Sequence, residues 1–171
     1  TGTENPVEIT IDKAKTVKAV FESVSPFYLD ANGVTIKARS WVTVGTTGEL
    51  NGVTYTAVDT NTLQLKAING EDLSKVVTTL VTNLNYLASI YKEGLVFNPD
   101  ISSWDVSGVT NMGQMFSRAE NFDQDLSGWT VSNVTSMNEM FNQPNYGHAC
   151  MLNQNLSTWS VNPNVTNCSN F

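Results

Sequence analysis

The sequence predicts an α/β chain that winds into a right-handed repeat solenoid of about 25 residues per turn, with an α+β N-terminal cap and a disulfide-stapled C-terminal turn. Three observations predict it. A tryptophan-centred unit recurs along the C-terminal half, the apolar spacing inside each unit changes from alternating to helical, and two cysteines stand just before the last unit, Cys150, and within it, Cys168.

Residues 1–23 stand apart from the repeating unit. Two alternating stretches, 7–12 and 16–22, are joined at Lys13 and Lys15 and read as a hairpin. It resembles the final hairpin of the small all-β repeat modules strung along bacterial surface proteins, which implies that it is the tail of a preceding module, with its boundary near Ser23 to Pro26.

Residues 24–92 read as the N-terminal cap with a degenerate first repeat. Phe27–Leu29 and Val34–Lys37 flank Asn32 and Gly33, the pattern of a second hairpin, and residues 48–58 suggest a further turn and strand. A helical pattern from Thr62 to Ile68 ends at Asn69 and Gly70. A second helix is expected to start near Glu71 and to run through Val76, Leu80, Leu84 and Leu87. A repeat array needs such a lid, because its terminal unit would otherwise expose an apolar cross-section.

Residues 93–171 hold three solenoid repeats. The copies begin at Phe97, Phe122 and Leu152, offset by 25 and then 30 residues, and the five extra residues lie between Phe141 and Leu152. A degenerate earlier copy places Val81–Ala88 over Val109–Phe116 at a spacing of 28. Around Trp104, Trp129 and Trp159 the side chains alternate as in a short strand, whereas Val109, Met112, Met115 and Phe116 recur at helical spacing. Each unit therefore reads as strand, turn, short helix and loop. One unit has a single apolar stripe and cannot bury it alone, so neighbouring copies are expected to stack with tryptophans and methionines inward.

The cysteines fit that arrangement. Cys168 takes an inward methionine position of the last copy and Cys150 lies in the insertion before it, so a bridge between them would pin the final turn. Closing such a loop is worth about 3 kcal/mol in the chain-entropy model and implies an oxidising compartment. A thiol nucleophile activated by His148, two residues from Cys150, is the weaker reading, because neighbours so close in sequence seldom face one another correctly.

Composition narrows the chemistry. Nine basic against sixteen acidic side chains give the 171-residue chain a net charge of −7, which repels phosphate backbones, so no nucleic-acid partner is expected. No apolar run reaches the length of a membrane span, and any export signal is expected outside the chain. One histidine and two cysteines cannot supply a four-ligand zinc site. Asp100, Asp123 and Asp125 fall on matching loops, but copy three offers Asn153 and Asn155 there, and a polar ladder between copies explains them better than calcium. No cofactor, no metal and no enzymatic activity are expected.

If the repeats bind anything, the outward strand positions are the place. Ser103, Asp105 and Ser107, then Gly128, Thr130 and Ser132, then Thr158, Ser160 and Asn162 would form a flat hydroxyl-rich surface with turns about 4.8 Å apart. The candidate ligand-binding residues are Ser103, Asp105, Ser107, Thr130, Ser132, Thr158 and Ser160.

The dense pattern from Phe97 to Phe116, repeated from Phe122 to Phe141, resembles the BspA-like leucine-rich-repeat surface proteins. Within them it is similar to the 25-residue-repeat subfamily of mycoplasma and Bacteroidetes surface proteins. The likeness covers residues 72–171 and, with the cap, extends towards residue 25. It implies a leucine-rich-repeat-like fold, export, display at the cell surface or secretion, and adhesion or protein binding without catalysis. The expected function is a monomeric, non-catalytic adhesion module that contacts a protein or glycan through the strand face. The alternative is a structural spacer or stalk module with no ligand of its own.

Overall fold

The computed structural model describes residues 24–142 and 156–166. Strands β1 (Phe27–Leu29) and β2 (Ile36–Ala38) form an antiparallel pair with Phe27 opposite Ala38. Their loop is closed by the Asn32 carboxamide oxygen, which accepts from the amides of Val34 and Thr35 at 3.0 and 2.9 Å. Strands β3 (Thr47–Leu50) and β4 (Val53–Asp59) form a second antiparallel pair across Asn51 and Gly52. Both turn residues have positive φ, 53° and 80°, as a two-residue hairpin turn of matching twist demands.

β4 runs directly into helix α1 (Thr60–Asn69). Asp59 caps the helix, its carboxylate accepting from the Thr62 amide at 2.8 Å. Gly70 ends it in the left-handed region at φ 70°, and the amides of Gly70 and Glu71 return to the Ala67 and Lys66 carbonyls.

The helix expected from Glu71 to Leu87 does not form. Val76–Leu80 is instead strand β5, parallel to β4 with Val77 opposite Ala57. The β-branched run Val76, Val77, Thr78 and Thr79 suits a pleated strand, and β4 offers it a hydrogen-bonding edge. The resulting three-stranded sheet, in the order β3-β4-β5, separates two cores. Ala57 and Val77 pack with Phe27, Ile36, Ala38 and Val42 on one side. Val58 and Val76 open the other core, which continues through Leu84, Trp104, Phe116 and Trp129 to Trp159.

The expected right-handed repeat solenoid is overturned. Among the described residues the protein is a small mixed α/β structure of two sheets and one helix, with no continuous parallel sheet along the repeats and no solenoid closure. Residues 93–142 and 156–166 are turns and extended segments, and neighbouring copies meet at isolated parallel bridges, Asn83 with Asn111 and Asn111 with Ser136.

Two physical causes replace the expected strand and helix. The strand stretch ends almost at once, because the Asp105 carboxylate accepts from the Ser107 amide at 3.1 Å and folds the chain into a turn. The helical stretch spends its amides elsewhere. Met112, Gln114 and Phe116 donate to the carbonyls of Ser136, Asn138 and Met140 in the next copy, not to carbonyls four residues back. The matching positions Tyr86, Gln114 and Glu139 have φ of 59°, 54° and 52°, which no right-handed helix accommodates. The proposed Cys150–Cys168 staple, His148, Asn153, Asn155 and the hairpin of residues 7–22 lie outside the described residues.

Candidate functional site

The tryptophans set the frame of the repeat surface. Trp104, Trp129 and Trp159 are buried, and each indole N–H donates one copy back, to the carbonyls of Leu73, Ile101 and Leu126 at 3.1, 3.2 and 2.9 Å. Trp129 and Trp159 lie nearly parallel, with 6.3 Å between ring centres and 7° between planes. Beside them Phe116 and Phe141 stack at 5.4 Å.

The same register extends the degenerate first copy back to Asp72. Asp72 accepts from the Ser74 amide and hydroxyl at 2.9 and 2.6 Å, Asp100 does the same with Ser102, and Asp125 accepts from the Ser127 amide at 2.8 Å. The signal was available, since Asp72, Leu73 and Ser74 repeat the residues Asp125, Leu126 and Ser127. The Ser74 side chain and amide hold Asp72 below the usual carboxylate range, and the Ser127 amide and hydroxyl do so for Asp125.

The three loop aspartates do not converge. Asp123 accepts from the Asn98 side chain of the preceding copy at 2.8 Å, while Asp100 and Asp125 each turn to their own serine. Among the described residues no group of three or more His, Cys, Asp or Glu side chains is placed to hold a metal ion.

The strand face is half covered. Asp105, expected outward, is 3% exposed; its carboxylate turns back to Ser107 and its carbonyl accepts from the Thr78 hydroxyl at 3.0 Å. Ser103 is half-buried because the hairpin lies over it, the Ile36 amide donating to its carbonyl at 2.8 Å. Ser107 is also half-buried, and Asn32 reaches the Gly128 carbonyl at 3.4 Å. Four candidate residues remain exposed, namely Thr130, Ser132, Thr158 and Ser160. Thr158 is fixed by its hydroxyl, which donates to the Ser127 carbonyl at 2.8 Å.

A second row of hydroxyls lies along the bridged segments. Thr110 donates to the Thr82 carbonyl, Thr135 to that of Thr110 and Thr166 to that of Thr135, at 3.3, 3.1 and 3.3 Å. All four threonines are exposed. The recurring Val-Thr pair of each copy carries this ladder, and the sequence reading gave it no role.

Among the described residues no helix is long and apolar enough to cross a membrane. No curated protein and no solved structure matches the chain. A family model described as Mycoplasma protein of unknown function, DUF285, matches residues 56–171, from the middle of β4 through every copy of the repeat. With well over half of its length matched, the chain belongs to DUF285, the family described as Mycoplasma protein of unknown function.

Proposed function

We propose that the chain is a non-catalytic adhesion module of an exported bacterial protein, displayed at the cell surface or secreted, which contacts a protein or glycan through the open half of its repeat face. The observation that carries the reading is the exposure of Thr130, Ser132, Thr158 and Ser160 in two adjacent copies whose tryptophans stack beneath them. The Thr158 hydroxyl, held by the Ser127 carbonyl, is ordered before a ligand arrives, which reduces the entropy lost on binding. Membership of a mycoplasma family and the likeness of the repeat to BspA-like surface proteins support export and display. The scarcity of histidine and cysteine supports binding over catalysis.

The test is retention on an array of matrix proteins and host glycans. The doubly substituted protein Ser132→Arg with Ser160→Arg places two bulky side chains on exposed positions and leaves the core untouched. Its retention is expected to fall at least about tenfold on whichever ligand holds the unaltered protein. Equal retention of the two proteins overturns the proposal. An unaltered protein that stays on nothing favours the spacer reading instead.

A further inference from the structure

Among the described residues six side chains are basic, and four of them are partnered. Lys37 pairs with Asp30 at 2.7 Å, Lys66 with Glu71 at 2.6 Å and Lys75 with Asp72 at 3.3 Å. Arg39 donates to the Ser25 carbonyl at 2.9 Å and lies 5.5 Å from the Tyr28 ring centre. The other two, Lys92 and Arg118, have no acid within 4 Å among the described residues, and both line one open cavity of about 600 Å³. That volume lies within the range of small-ligand sites. In a chain of net charge −7, two unpaired cations meeting at one cavity need an explanation.

The backbone is constrained at both residues, and both side chains are exposed. The Lys92 amide donates to the Ala67 carbonyl at 3.0 Å at the end of α1, and its stem lies against Gly70, where an added methyl would come within 2.8 Å of its Cδ. Arg118 holds φ at 66°, a conformation that costs energy in a side-chain-bearing residue and gathers at binding sites. The walls between them are mixed. Glu93 and Glu120 also line the cavity, as do Leu95 and Val96, which are 51% and 62% exposed.

We infer that this cavity binds an acidic monosaccharide unit, a sugar that carries one carboxylate and several hydroxyls. Lys92 and Arg118 take the carboxylate, the guanidinium by its fork of donors. Glu93 and Glu120 accept from sugar hydroxyls, and Leu95 and Val96 cover a ring face or an acyl methyl. The two glutamates argue against a doubly charged phosphate, which they would repel more strongly than a single carboxylate, and walls that carry four exposed charges argue against a purely apolar ligand. This reading uses none of the strand-face residues, so it stands or falls apart from the adhesion surface proposed above.

The test is titration of the protein with the methyl glycosides of N-acetylneuraminic acid, glucuronic acid and glucose, followed by ligand-observed NMR and calorimetry. At least one acidic glycoside is expected to bind with a Kd below about 10 mM and at least about tenfold more tightly than methyl glucoside. The preferred acid distinguishes a sialylated source from a uronic one. Lys92→Met keeps the stem on Gly70 and removes the charge, and Arg118→Asn suits the left-handed backbone. Each is expected to weaken binding at least about tenfold with the melting temperature unchanged. The proposal is overturned if neither acid binds, if methyl glucoside binds as tightly, or if both stably folded variants keep full affinity.

Discussion

The indole N–H of Trp129 donates to the main-chain carbonyl of Ile101 at 3.2 Å, and this bond ties one copy of the repeat to the copy before it. Trp104 and Trp159 make the same bond to Leu73 and Leu126. Replacing Trp129 by Phe keeps an aromatic ring in the core but leaves the Ile101 carbonyl with the Trp104 amide, at 3.1 Å, and without its bond to the next copy. The expected loss is about 1 to 3 kcal/mol, the sum of one lost hydrogen bond and a partly emptied site. Urea denaturation of Trp129→Phe measures it. Trp41→Phe, at a position 42% exposed, is the control and is expected within about 0.5 kcal/mol of the unaltered protein.

Several carboxylates tie stability to acid. Thr62 lowers the pKa of Asp59 through its side chain and amide, Lys66 and then Asn69 lower that of Glu71, and Lys37 and then the Ala31 amide lower that of Asp30. Each folded value lies below the unfolded one. The stabilisation is therefore complete above the ordinary carboxylate range, about pH 4 to 4.5, and is lost as pH falls through the folded values. Melting temperature should be level from about pH 5 to 7 and fall below about pH 4. Asp59→Asn keeps a helix cap and removes the titrating group, so its melting curve should flatten at the acid end. A low-pH melting series of both proteins shows whether it does.

Gly70 tests the end of α1. Its φ of 70° suits glycine, and an added Cβ would stand 2.7 Å from Leu95 Cδ1 and 2.8 Å from Lys92 Cδ. Gly70→Ala is expected to cost about 1 to 2 kcal/mol from backbone strain and displaced side chains. Because the same substitution pushes on Lys92, it should also weaken any acidic sugar bound beside it. Chemical denaturation and the NMR titration read the two effects separately.

Local chemistry made the cap legible. Asn32 with Gly33 marked one hairpin, and Thr62 to Ile68 ahead of Gly70 marked the helix. Non-local hydrogen bonding hid the rest. Val76, Leu80, Leu84 and Leu87 have helical spacing, yet β4 supplied a partner edge that turned Val76–Leu80 into a strand. Met112 and Phe116 keep their inward places, but their amides bond to the next copy, so apolar spacing alone suggested a helix that hydrogen bonding forbids. Lys92 and Arg118 belong to different loops and share no motif, and only the folded chain puts both on one cavity.

Asp105 shows how alternation misleads at a covered edge, and it separates stability from binding. Alternation about Trp104 points Asp105 outward, but the carboxylate is buried and accepts from the Ser107 amide at 3.1 Å and hydroxyl at 2.6 Å. Asp105→Ala leaves both donors without that acceptor in a half-buried turn and is expected to cost about 1 to 3 kcal/mol. Thr130→Ala, on the exposed part of the same face, should change stability by less than about 0.5 kcal/mol. If the strand face binds a ligand, loss of retention in Asp105→Ala should track its unfolding and recover at lower temperature. A deficit in Thr130→Ala should persist in fully folded protein. Equilibrium denaturation of both variants, paired with retention at two temperatures, distinguishes a residue that builds the surface from one that a ligand touches.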